Sequence, residues 1–121
     1  MEICNAKITK VSISMADHGV LTFYVYLEGS GWGIGYGGYV IAHGYLDADE
    51  FTSESGCGLE AMMHIMDVVG VSKWEELPGK YVRCKMDGVG AARKVDEIGN
   101  IIRNKWFNIR EFFTKENVKN E

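Results

Sequence analysis

Apolar residues recur at two different periods along this chain, and the change of period divides it. Ile3, Ile8, Val11 and Ile13 lie among polar neighbours across residues 1–14, which predicts a strand. Asp17-His18-Gly19 is a turn signal. Residues 20–28 then place Leu21, Phe23, Val25 and Leu27 on one face and Thr22, Tyr24 and Tyr26 on the other, completing a hairpin. From 29 to 37 glycine holds every second position, interleaved with Trp32, Ile34 and Tyr36. As a strand continuing through Tyr39-Val40-Ile41, this run carries side chains on one face and none on the other. Glycine costs a strand about 0.5–1 kcal/mol per residue relative to alanine. The bare face therefore points to close approach by a ligand ring, a helix or another backbone. A flexible glycine-rich loop is the competing reading.

After Phe51 the spacing becomes helical. Leu59, Met62, Met63, Met66 and Val69 predict an amphipathic helix over about 56–69, with its methionines in the core and Gly70 as its C-cap. Ser72-Lys73-Trp74-Glu75 has capping-box spacing for a single turn ended by Pro78-Gly79. Residues 81–86 alternate as a strand, 87–93 form a mobile loop, and 94–103 return as a strand. Asn108 with Glu111 caps a last helix bearing Ile109, Phe112 and Phe113. The fold class predicted is α+β: an antiparallel sheet of about five strands covered by one amphipathic helix, with a short C-terminal helix. Residues 1–116 form a single domain, and 117–121 fray. The rings of Trp106, Phe107, Phe112 and Phe113, assigned to the C-terminal helix, are expected to be buried, against the sheet or a second subunit.

Composition narrows the function. With 46% hydrophobic residues and one proline, the 121-residue chain can bury its own core. Met1 to Asn5 lack the basic region and apolar core of a signal peptide, and no apolar run reaches membrane-spanning length, which predicts a cytosolic protein. Cys4, Cys57 and Cys84 form no CxxC pair, so thiols are expected and a metal is not. Net charge is −4, but residues 1–78 carry three Lys/Arg against eleven Asp/Glu while 79–121 carry ten against six. That asymmetry suits capture of a small anion by the C-terminal half better than wrapping of duplex DNA. Oppositely charged faces that pair in a homo-oligomer, or only solubilise the chain, would look the same.

Motifs for catalysis are missing. The glycine run lacks the GK[ST] ending of a P-loop and the spacing of a dinucleotide fingerprint. His18 and His64 have no partner that sequence can fix, and no Ser/His/Asp or paired-carboxylate signature stands out. Stacking and phosphate contacts fare better. Trp32, Tyr36, Tyr39 and Tyr45 around the glycine face could sandwich a purine while Lys80, Arg83, Arg93 or Lys105 neutralise phosphates. Sheet core is the alternative role for those rings.

Five segments carry a resemblance. They are Asp17-His18-Gly19-x-Leu21-Thr22-Phe23, Gly-x-Gly-x-Gly-Gly-Tyr at 33–39, Gly58-x-Glu60-Ala61-Met62, Val69-Gly70-Val71-x-x-Trp74-Glu75-x-Leu77-Pro78-Gly79-Lys80-Tyr81-Val82-Arg83, and Ile98-Gly99-Asn100-Ile101-Ile102-x-x-Lys105-Trp106-Phe107. In this order, over residues 3–114, the chain resembles the first family of phage Thoeris anti-defence proteins. The resemblance implies a sponge that holds the glycocyclic ADP-ribose made by bacterial TIR enzymes without cleaving it. It also implies no cofactor, homo-oligomers with pockets at subunit junctions, and action in the cytoplasm of an infected bacterial cell. Some members also hold cyclic oligonucleotide signals. The ligand residues expected are Asn100 for hydrogen bonding, Arg83, Lys105 and Arg93 for phosphates, Trp32 and Tyr39 for stacking, and Asp17 and His18 on a turn, with loop 87–97 as a gate. A protein-binding inhibitor acting through Asp47, Asp49, Glu50 and Glu54, and a nucleotide hydrolase, are the competing readings.

Overall fold

The computed structural model describes residues 2–17, 19–47, 50–88 and 93–119, with backbone alone at 16–17, 45–47, 50–55 and 116–119. Seven strands form one antiparallel sheet: β1 (Glu2–Asp17), β2 (Val20–Gly29), β3 (Trp32–Asp47), β4 (Glu50–Ser55), β5 (Tyr81–Asp87), β6 (Lys94–Asn100) and β7 (Trp106–Asn108). Their order across the sheet is β4-β3-β2-β1-β5-β6-β7. Two helices, α1 (Gly58–Val69) and α2 (Ile109–Lys119), complete an α+β fold. The sheet thus has two strands beyond the five expected. Both are edge strands that leave little periodic signal: β4 is the polar hexapeptide EFTSES, and β7 is three residues long.

Trp106 and Phe107 therefore belong to a strand and not to the C-terminal helix. That helix begins at Ile109, where the Asn108 Oδ1 accepts the Glu111 N–H at 2.9 Å, as the Asn108/Glu111 spacing predicts. It continues to Lys119, past the residue at which fraying was expected to begin, and 120–121 lie outside the described residues. The single turn after α1 is a 3-10 helix over Trp74–Glu76 that starts without the expected capping box. Its N-cap is Lys73, and Ser72 Oγ donates instead to Glu76 Oε1 at 3.3 Å.

The curl of the sheet brings β3 against β6 and β7. Tyr36 spans that seam: its hydroxyl lies 3.4 Å from the Asp96 carbonyl and 3.2 Å from the Phe107 carbonyl, and accepts the Ile109 N–H at 3.2 Å. Burial pushes the Tyr36 phenol well above its usual range. Phe23, Val25 and Leu27 of β2 fill the interior with Ile8, Val82, Cys84, Met86 and Ile98.

α1 covers this core, but with a different stripe from the one expected. Gly58, Ala61, Met62, Ile65 and Val68 are buried, while Leu59 is 54% and Met63 64% exposed. Of the three methionines only Met62 lies in the core proper. Gly70 ends the helix at φ +94, as its position predicts, donating to the Met66 carbonyl at 2.8 Å. None of the helices is long and apolar enough to cross a membrane among the described residues.

The glycine run is a strand only from Trp32 on: Gly29 ends β2, and Ser30 and Gly31 make the hairpin turn. Tyr36, Gly35, Ile34 and Gly33 oppose Val25, Tyr26, Leu27 and Glu28 in register, so Trp32, Ile34 and Tyr36 do share one face. At Gly37 and Gly38, with φ of +123 and +80, one extra residue enters β3. This bulge changes the parity of the strand, so that Tyr36 before it and Ile41 after it both point inward. A side chain at either position would be strained.

Candidate ligand site

The bare face of β3 has an occupant from within the chain. The Tyr24 and Tyr26 rings stack with centroids 5.7 Å apart, and a Cβ on Gly35 would sit 3.3 Å from the Tyr24 ring. Lys10 Nζ lies 4.7 Å from the Tyr26 ring centre. Lys10, Tyr26 and Trp32 border an open cleft of about 600 Å³ over Gly31, Gly33 and Gly35. The purine sandwich drawn from sequence does not assemble here. Tyr36 is buried in the seam, and Tyr39 stacks flat on Phe113 of α2 with centroids 4.0 Å apart. The Tyr45 side chain lies outside the described residues. Nothing in the primary sequence distinguishes Tyr24 and Tyr26 from ordinary outer-face residues, so their fit over the glycines was not legible there.

Trp32 and Arg93 do come together, the guanidinium 5.9 Å from the Trp32 ring centre. Arg93 also pairs with Glu2 Oε1 at 2.5 Å. The Glu2 carboxyl is held below its usual range by a hydrogen bond from Cys4, and then by Arg93. His18, the Asp17 side chain and residues 89–92 of the expected gate lie outside the described residues, as do the side chains of Asp47, Glu50 and Glu54 and the whole of Asp49.

The remaining three predicted residues converge at the other end of α1. β6 was expected to run to Arg103 but stops at Asn100, where the chain turns. Asn100 makes that turn: its Oδ1 accepts the N–H groups of Ile102 at 3.0 Å and Arg103 at 2.9 Å. Its Nδ2 donates to the Val68 carbonyl at 2.8 Å, tying the turn to the last turn of α1. From the adjacent strand, Arg83 donates Nε to the Asn100 carbonyl and Nη2 to the Arg103 carbonyl, both at 2.8 Å. The Arg83 guanidinium and Lys85 Nζ lie 4.7 and 4.4 Å from the Trp106 ring centre. A Cβ on Gly99 would fall 2.5 Å from that ring, so only glycine lets Trp106 lie there.

Asn100 and Arg83 are thus positioning residues for a basic turn in this structure, with most of their polar capacity committed to backbone. The groups left facing solvent are Lys105 and Arg103. Lys105 Nζ pairs with Asp67 Oδ1 at 3.0 Å across a well-exposed bridge. Exposed pairs of this kind contribute about 0–1 kcal/mol, so breaking this one to free Lys105 costs little. Asn100, Arg103 and Lys105 line a cleft of about 650 Å³ with Met66, Asp67, Gly70 and Glu76. Its size falls within the roughly 300–1,000 Å³ of small-molecule sites. Arg103 was counted in the basic half of the chain but not singled out from sequence. The available signal was its place three residues after an asparagine that closes a turn.

His64 lies on the same helix, stacked on Phe107 with centroids 5.1 Å apart, beside a smaller depression lined by Glu60, Met63 and Asp67. Among the described residues no group of His, Cys, Asp and Glu is arranged to hold a metal ion. Set against protein-family models, curated proteins and solved structures, the chain finds no match.

Proposed function

We propose that this protein binds a TIR-generated glycocyclic ADP-ribose and retains it uncleaved, blocking Thoeris immunity on behalf of an infecting phage. The observation that carries the reading is the convergence of Arg83, Asn100, Arg103 and Lys105 on one turn beside a cleft of ligand size. A turn whose backbone is fixed by two side chains holds its cations in place before the ligand arrives, which lowers the ordering cost of binding. Arg103 and Lys105 would meet the two phosphates, each charge-assisted hydrogen bond contributing about 1.5–3 kcal/mol. The ordered resemblance over residues 3–114 supplies the ligand's identity.

A sponge works by slow release, since it must keep a signal scarce and has no turnover to perform. The reading includes a homo-oligomer in the bacterial cytoplasm, with a second subunit closing the open side of the cleft. The test is to mix purified protein with the product of an active TIR enzyme, remove unbound small molecules, heat-denature, and analyse the supernatant by mass spectrometry. Recovery of the intact cyclic ADP-ribose isomer supports sequestration. Recovery of a changed product would make the protein an enzyme. Empty supernatant rejects this ligand, and cyclic oligonucleotides and then host proteins become the next partners to try.

A further inference from the structure

The pairing of β1 with β5 sets Cys4 directly opposite Cys84. Opposed residues of an antiparallel pair share a face, with Cα atoms about 4.5 or about 5.5 Å apart according to their ladder position. Either spacing lies inside the roughly 4.4–6.8 Å that a disulfide accepts. All three thiols are unbridged. Cys84 is fully buried, and Cys4 is half-buried at the margin of the same core. Cys4 is thus the sulfur that water and small oxidants reach, and Cys84 is the sulfur waiting behind it.

The surroundings of Cys4 fit that division. Its Sγ donates to Glu2 Oε1 at 2.8 Å, and Arg93 Nη2 lies 3.8 Å from the sulfur. The carboxylate holds the thiol in its protonated form, and the guanidinium stands ready to hold the thiolate once the proton has left to water. We infer that Cys4 and Cys84 are a redox pair, joined by hydrogen peroxide into a reversible cross-strand disulfide that pins the first strand to the fifth.

The Cys4 thiolate attacks one peroxide oxygen, the O–O bond breaks, and with the thiol's proton the departing hydroxide leaves as water. The Cys84 thiol then attacks the Cys4 sulfenic sulfur, forming the S–S bond and releasing the hydroxyl with the Cys84 proton as a second water. Two thiols are oxidised and one peroxide is reduced to two waters. The Glu2 hydrogen bond holds the Cys4 thiol above its usual range, so the first step is slow at neutral pH and quickens on the alkaline side. Once the bridge forms, Cys4 has no proton to donate, and Glu2 is left to Arg93 alone. The inference rests on register and access, and is independent of the ligand held at the basic turn.

The test treats the full-length reduced protein with hydrogen peroxide and digests it without reductant. The expected result is an intact mass lower by two hydrogens and tryptic peptide 1–7 joined to Cys84-Lys85. Dithiothreitol should reverse both, and the linked protein should melt at a higher temperature. Cys57→Ser should link as the parent does, while Cys4→Ser should not. Sulfinic acid at Cys4 without the linked peptide, or a link through Cys57, overturns the inference.

Discussion

The glycine ribbon of β3 and the basic turn after β6 both depend on contacts made within the chain, and they leave different things exposed. On the ribbon, absent side chains at Gly35 and Gly38 are answered by the Tyr24 and Tyr26 rings of the neighbouring strand. Most of the local demand is met internally, and the region's main product is a curved, bulged strand that carries Tyr36 into the seam. On the turn, Asn100 and Arg83 are also consumed internally, by backbone carbonyls and N–H groups. What they leave over is charge, in Arg103 and Lys105 beside the cleft. The more conspicuous sequence feature is therefore architectural, and the plainer one holds the candidate chemistry.

Breaking the ribbon should have the largest effect on stability. At Gly37 a Cβ would lie 2.7 Å from the Phe23 carbonyl oxygen, and φ is +123. Backbone cannot swing aside as a side-chain end can. Gly37→Ala should cost about 3 kcal/mol, the upper end for a residue held in such a conformation, read as the shift in a urea unfolding midpoint. A loss under about 0.5 kcal/mol, the size of an ordinary surface substitution, would mean the bulge is not the element that sets strand parity.

The turn should separate stability from binding. Asn100→Ala removes three hydrogen bonds, two of them exposed, each contributing about 0.5–1.5 kcal/mol, and should abolish ligand retention by releasing the turn. Arg103→Glu should leave the unfolding midpoint within about 0.5 kcal/mol and still weaken retention tenfold or more. Equal retention by the Arg103→Glu protein would remove the turn as the anion site. Undiminished retention by Asn100→Ala would remove Asn100 as its positioning residue.

How much of this was legible follows from the range of the interactions. The β1–β2–β3 meander, the α1 C-cap at Gly70 and the Asn108 cap are local, and their residues announce them. β4 and β7 were missed because an edge strand takes its hydrogen bonds from a neighbour and needs no apolar period of its own. The α1 stripe was misread for a related reason. Met63 and Ile65 are both apolar, and only the strands beneath decide that Ile65 faces them. At the site, the meeting of Arg83, Asn100 and Lys105 was anticipated only as a group of candidate side chains. Their division of labour depends on carbonyls of residues that sequence cannot place.

Alkaline titration probes the core behind the ribbon. Burial pushes the Cys84 thiol up from an ordinary 9.0 to about 12. Above pH 9 the unfolded chain loses this proton while the native chain keeps it. Stability is therefore full below about pH 9 and falls as pH rises toward about 12, with a limiting slope of about 1.4 kcal/mol per pH unit. Tyr36, raised from 10.0 by burial, adds to the fall at the upper end of that window. In Cys84→Ala, measured under reductant, the fall between pH 9 and 10 should shrink to the part owed to the raised Cys4 thiol. An unchanged slope would place the alkaline sensitivity elsewhere.

The smallest expected effect is the one that best tests what the ribbon is for. At Gly35 a new Cβ meets the Tyr24 ring at 3.3 Å and the Tyr26 ring at 3.5 Å, with no backbone atom nearer than these. Those rings lie on the partly exposed outer face and can give by a few tenths of an ångström. Alanine also restricts the unfolded chain, a gain of about 0.4–1 kcal/mol that offsets the crowding. Gly35→Ala should thus change stability by no more than about 0.5 kcal/mol and leave ligand retention unaltered, because the tyrosines and not the ligand occupy the bare face. If retention falls while the unfolding midpoint stays in place, the added methyl must be displacing ligand. The ribbon cleft would then replace the basic turn as the place where the ring of the signal lies.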